Sequence, residues 1–152
     1  MYVKQRDKYS CGPIAILNAI KWSGIKATYS SHFKRVSKLS NSGICGIDNH
    51  DITKALNNYK KLKYRIKKHI TVEELEKHLI KGGSAIVGYD FRIDGEDVGH
   101  YSFIAGKKDR RFVIINHFVD KKIGHLTKKE INYILKYRGY EDSPYAWLIS
   151  KR

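Results

Sequence analysis

Partway along the chain the apolar positions change period, from helical spacing to short continuous runs. Pro13 stands where a first helical turn would begin, and Ile14, Leu17, Ala19, Ile20 and Trp22 supply an apolar face that Gly24 closes. A second helix is predicted over Ser31–Leu39, and a third, capped by Asp48 or Asn49, through Ile52, Ala55 and Leu56. Thr71 followed by Glu74 is a capping-box pattern that opens the amphipathic stretch Val72–Leu79, which Gly82-Gly83 stops. Beyond it, Ser84–Phe91, His100–Ala105 and Arg111–Phe118 are short runs rich in β-branched and aromatic residues, the composition of strands. The polar stretch Gly106–Arg110 makes a hairpin-like turn between the last two. A second capping box, Thr127 with Glu130, opens a helix through Tyr137 that ends near Gly139. Tyr145–Ile149 is predicted as a last strand, and Leu62–Ile66 adds one more. Helices first and a mostly antiparallel sheet afterwards make an α+β fold. With only Pro13 and Pro144, and no repeat or low-complexity stretch, one domain over residues 1–152 is expected.

Composition narrows the class. Hydrophobic residues make up 41% of the 152, which excludes a disordered basic tail. No apolar run approaches the roughly 20 residues of a membrane span, and the N-terminal MYVKQRDKYS lacks a secretory core. Two cysteines build no disulfide framework, which suits a reducing, cytoplasmic location. Thirty Lys+Arg against fifteen Asp+Glu leave a net charge of +15, which favours acidic partners and non-specific polyanion binding. Most of those cations are Lys spread through the chain, in company with Ile, Asn and Tyr, all encoded by A/T-rich codons. That pattern reads as a solvated surface more than as a dedicated nucleic-acid face. Cys11 and Cys45 lack zinc-ligand spacing, the histidines show none either, and Gly82-Gly83 is no phosphate loop. No metal or cofactor is expected.

One segment carries chemistry. Gln5-Arg-Asp-Lys-Tyr9-Ser-Cys11-Gly12-Pro13 puts a cysteine at the start of a predicted helix, where unpaired N–H groups and the helix dipole favour the thiolate. A thiolate nucleophile needs a base, and the base needs an orienting partner. His100 opens the run HYSFIA and is expected at a strand's edge. Asn116 lies sixteen residues later, after Val113-Ile114-Ile115, within reach if the two strands pair through the intervening turn. Gln5 could donate to an oxyanion beside the Cys11 amide. Tyr9 and Tyr101 flank the nucleophile and the base, and Cys45 reads as structural or incidental.

Taken together, Gln5, Tyr9-Ser10-Cys11-Gly12-Pro13 opening a helix that holds Asn18-Ala19, Gly99-His100-Tyr101, and Asn116 after Val-Ile-Ile resemble papain-like cysteine peptidases. The pattern is most similar to the bacteriocin-processing, double-glycine-leader peptidases at the N-terminus of peptide-exporting ABC transporters, and extends from Gln5 to about His117. The resemblance implies a papain-like fold and cleavage of a peptide or isopeptide bond. It makes Cys11 the nucleophile, His100 general base and acid, Asn116 the orienter and Gln5 the oxyanion donor, acting on a protein or peptide substrate, to which the +15 charge adds a leaning to acidic segments. The family usually carries Asp then Pro where this chain has Asn116-His117. Two other readings of the same residues are a basic nucleic-acid-binding protein on a non-catalytic papain-like fold, and a triad-based acyl transferase or deamidase.

Overall fold

The computed structural model describes residues 2–7, 9–39, 48–118, 121–139 and 142–151. In chain order the elements are α1 (Cys11–Trp22), α2 (Tyr29–Leu39), α3 (Asn49–Asn57), β1 (Lys63–Lys68), α4 (Val72–Ile80), β2 (Ser84–Ile93), β3 (Glu96–Lys108), β4 (Arg111–Phe118), β5 (Lys121–Leu126), α5 (Lys128–Lys136) and β6 (Tyr145–Ser150). The capping boxes form as their residue types require. Thr71 and Thr127 each accept the backbone N–H three residues on, from Glu74 and Glu130, whose carboxylates return to the cap. Asp48 does the same with Asp51 at the start of α3.

The strands form one sheet in the order β1-β6-β2-β3-β4-β5, with every pairing antiparallel. Alternation along the strands sends side chains to two cores. On one face Ile86, Phe103, Ile115 and Trp147 pack with Ile14, Leu17 and Ile20 of α1, Val36 of α2 and Ile52 and Leu56 of α3. On the other, Val87, Ile104, Phe112 and Leu148 meet Leu75 and Leu79 of α4 and Ile131 and Leu135 of α5. Helix α1 is buried from Gly12 to Ile20, so it is the spine of the first core and its N-terminal residue cannot drift relative to the sheet. No helix among the described residues is long and apolar enough to cross a membrane.

Three features differ from the expectation. Strand β5 has no strand-like signal, because Lys121-Lys122 and Gly124 break its apolar pattern; it exists by pairing with β4. Strands β2 and β3 run on to a hairpin in which Asp94 and Gly95 both take positive φ, 51° and 83°. His100 therefore lies well inside β3 and is buried, not at a strand's edge. The β3–β4 reversal is narrower than Gly106–Arg110: Asp109 and Arg110, at φ 49° and 66°, make the turn, as a two-residue hairpin with left-handed central positions requires.

Candidate active site

The N-terminal segment is held by two buried asparagines. Asn18, inside α1, accepts the Val3 N–H at 2.7 Å and returns its own Nδ2–H to the Val3 carbonyl at 3.1 Å. Asn116, near the end of β4, donates Nδ2–H to the same carbonyl at 2.9 Å and accepts the Gln5 N–H at 3.0 Å. A buried amide is costly unless its donors and acceptors are met, and both amides here spend theirs on this one stretch of backbone. The result carries Gln5 into the interior, where it is 1% exposed. Its Nε2 donates to the Asp7 carbonyl at 2.6 Å, which leaves one N–H unspent; Oε1 has no partner among the described residues. Asp7 then shapes the approach to α1: its Oδ1 accepts the N–H groups of Tyr9 and Ser10, each at 2.8 Å. Such a carboxylate-closed turn is the usual way Asp fixes a short loop. It delivers Cys11 as the first residue of α1.

Cys11 is a free, partly exposed thiol. The N–H groups of Cys11, Gly12 and Tyr101 surround its sulfur and favour the thiolate, as a helix start should. Burial opposes them and is the larger effect, and the Asp7 carboxylate adds to it, so the thiol lies above its ordinary 9.0. The helix-dipole expectation has the right sign for its own contribution and the wrong sign for the sum.

His100 faces Tyr89 across the β2–β3 ladder. Its Nε2 lies 2.8 Å from the main-chain oxygen of Asn116. A carbonyl can only accept, so Nε2 bears the hydrogen and Nδ1 holds the lone pair of the neutral ring. Tyr89 and Phe91 present their rings at steep angles to the imidazole, with centroids 5.6 and 6.4 Å away. Burial lowers the His100 pKa below its ordinary 6.5, while the Asn116 carbonyl pulls the other way. The orienting contact is thus made by the backbone of Asn116, since its side chain is committed to Val3 and Gln5. The local geometry explains this. Asn116 takes a left-handed φ of 55°, which Asn tolerates, and the β4–β5 register breaks between Ile115 and Phe118. Its carbonyl is free of the ladder and accepts from both His100 and Ser102, the latter at 3.2 Å. Behind it the Tyr89 hydroxyl bridges Ser102 Oγ and His117 Nδ1, each at 2.9 Å, and burial keeps that phenol protonated.

The four candidate residues therefore occupy one region: Cys11 against the amide next to His100, His100 on Asn116, and Asn116 on Gln5. Asn18 enters the resemblance only as part of its helix, with no role of its own, and Asp7 and Ser102 leave as their only signal a short polar residue beside a helix start or inside an apolar run. Tyr101 contributes its amide to Cys11, while its ring packs on Trp147 at 6.0 Å and its hydroxyl donates to Asn49 at 2.8 Å. Tyr9 is exposed, and Cys45 lies outside the described residues. Among the described residues no three His, Cys, Asp or Glu side chains gather as metal ligands would.

Solved structures of the same fold cover nearly the whole chain. The peptidase domain of Streptococcus ComA, a bi-functional ABC transporter involved in quorum sensing, superposes with a TM-score of 0.72 at 16% identity, covering 99% of this chain and 97% of that one. A C39-like peptidase from Bacillus anthracis gives 0.71 at 12% identity, covering 100% and 94%. A double glycine motif protease from an AMS/PCAT transporter, solved in complex with the leader peptide, gives 0.69 at 13% identity, covering 99% and 91%. The six-stranded sheet and its helices are thus the papain-like fold of these peptidase domains. No curated protein matches the chain. The model of the Peptidase_C39 like family matches residues 1–140, and the chain belongs to that family.

Proposed function

We propose that this protein is a cysteine peptidase in which Cys11 is the nucleophile, His100 the base and acid, Asn116 the orienter through its main-chain oxygen, and Gln5 an oxyanion donor. The observation that carries the reading is the anchoring of His100. With Nε2–H spent on the Asn116 carbonyl, Nδ1 is the one ring nitrogen able to take a proton, and the Cys11 sulfur lies against the adjoining Tyr101 amide. A raised thiol and a lowered imidazole describe a neutral resting pair. The S–H proton passes to Nδ1 as sulfur attacks the substrate carbonyl, and the imidazolium then protonates the leaving amine. Water hydrolyses the thioester and restores the thiol. The remaining Gln5 Nε2–H and the Cys11 N–H would meet the negative oxygen, each such donor lowering the barrier by about 3 kcal/mol.

A peptide substrate follows from the chemistry, and the double glycine motif protease, solved in complex with the leader peptide, is a precedent for a peptide ligand on this fold. The test is digestion of a diverse peptide mixture, read by mass spectrometry, with Cys11→Ala and His100→Ala in parallel. New termini are expected with the parent protein alone. Cleavage undiminished in Cys11→Ala would falsify the assignment.

A further inference from the structure

Two periodicities gather positive charge on the side of the sheet that carries α4. Along β1, alternation puts Arg65 and Lys67 on the face that pairs with Leu148 and Ala146 of the second core. Along α4 and just beyond it, Glu74, Lys77, His78 and Lys81 follow at intervals of three and four, one stripe of a helix. Strand row and helix stripe enclose a cavity of about 350 Å³ floored by the buried Ile70 and Leu148. Four permanent cations line it against one carboxylate, and that carboxylate is engaged: Glu74 pairs with Lys67 at 2.9 Å and accepts the Thr71 N–H at 3.0 Å. Arg65, Lys77 and Lys81 form no ion pair among the described residues. His78 fixes the wall, donating Nε2–H to the carbonyls of Ser84 and Ile149 at 3.0 and 2.9 Å.

We infer that this groove docks an acidic, extended peptide segment at a place distinct from Cys11. Charge complementarity selects an anion, and three observations select the kind. No Phe, Tyr or Trp side chain lines the cavity, and its one imidazole, His78, is tied to two main-chain carbonyls, so there is no row of rings on which successive bases could stack. Among the described residues strand β1 is the sheet's edge and pairs on one side only, with β6, so its outer side can accept a further strand. A strand laid there would present carboxylates at every second position towards Arg65 and Lys67, whose own spacing is two. A second copy of this chain, itself at +15, is repelled. Binding at the groove does not require Cys11 to react, and it stands or falls separately from the peptidase assignment.

The test is fluorescence anisotropy of a labelled ten-residue peptide with Glu at alternate positions, against the same peptide carrying Gln, using the full chain. The expected result is at least tenfold tighter binding of the Glu peptide, weakening as salt rises. A Lys77→Glu/Lys81→Glu protein, and separately Arg65→Glu, should each lose tenfold or more, with unchanged circular dichroism. Lys38→Glu, on α2, should lose less than twofold. Equal loss in Lys38→Glu means diffuse attraction to the overall charge and overturns the groove. An oligothymidylate of similar length that binds as tightly, or inorganic phosphate that displaces the peptide at millimolar concentration, overturns the peptide assignment.

Discussion

At the level of single residues, the reactivity of Cys11 is a balance between helix-end N–H groups and burial, and one carboxylate sits on the unfavourable side. Asp7 has two roles that can be separated: its Oδ1 holds the turn, and its charge discourages the thiolate. Asp7→Asn keeps an acceptor for the Tyr9 and Ser10 N–H groups and removes the charge. The thiol pKa should fall, and iodoacetamide should alkylate Cys11 several-fold faster at pH 8, read by mass spectrometry. A slower reaction would mean that the turn, not the charge, is what Asp7 supplies. In the proposed mechanism His100 sets the acid side. Its imidazole must be neutral to act as a base, and burial has moved its pKa down. The acid limb of kcat/KM should therefore have its midpoint below 6.5, the limb reporting the free enzyme. The sign for stability agrees. Above 6.5 the ring is neutral in both folded and unfolded chains, and below it the unfolded chain takes up a proton the folded one resists. Stability is thus lost as pH falls through the folded value.

At the level of elements, the site is a junction of three backbones: the N-terminal segment, the start of α1, and the β3–β4 pair. The asparagine at the end of β4 shows why a change towards the family's usual residue need not help. In Asn116→Asp a carboxylate oxygen would face the Val3 carbonyl where Nδ2–H now donates. Removing a buried donor costs about 1–3 kcal/mol, so the variant should melt at lower temperature and lose activity, although the His100 contact to the main-chain oxygen survives. A rise in activity would show that the side chain, not the carbonyl, orients the imidazole. Gly88 supports the same junction from β2. A Cβ there would lie 2.7 Å from Tyr101 Cε1, and that ring is held by Trp147 and Asn49. Gly88→Ala should push Tyr101 and its amide away from Cys11, lowering kcat/KM on the order of tenfold, with a smaller effect in thermal denaturation. Sequence reading reached the elements where local chemistry decides them. The three capping motifs, the apolar runs and the helix opening at Cys11-Gly12-Pro13 each carry their own signal. It could not reach β5, whose Lys121, Lys122 and Gly124 acquire strand structure only from β4, nor the division of labour in Asn116. Whether a residue works through its side chain or its carbonyl depends on φ and on register, and neither is written in residue type.

Across the whole molecule, the sheet separates two cores, and only the one containing α1 bears directly on the thiol. Phe103 is fully buried there, between α1 and the sheet, with Tyr2 against it at 5.9 Å. Phe103→Ala should cost about 3–5 kcal/mol, a large share of the roughly 5–15 kcal/mol typical of a whole chain of this kind. Urea denaturation reads that directly, and a loss under about 1 kcal/mol would mean that the core closes over the gap. The charge that spreads along the sequence also looks different in three dimensions. Arg65 and Lys67 of β1 and Lys77 and Lys81 of α4 and its end are drawn to one side of the sheet by two unrelated periods, one of strand and one of helix, so that near neighbours in the chain become walls of one groove. The grip of Asn116 on the N-terminal segment has a further consequence, and it concerns time. Gln5 is fixed by a residue 111 positions downstream. A ribosome that has made α1 has already made the thiol, but not the carbonyl that holds His100 nor the amide that seats Gln5. The nascent chain thus carries the Cys11 thiol without these partners around it, and gains them only when the fourth strand emerges.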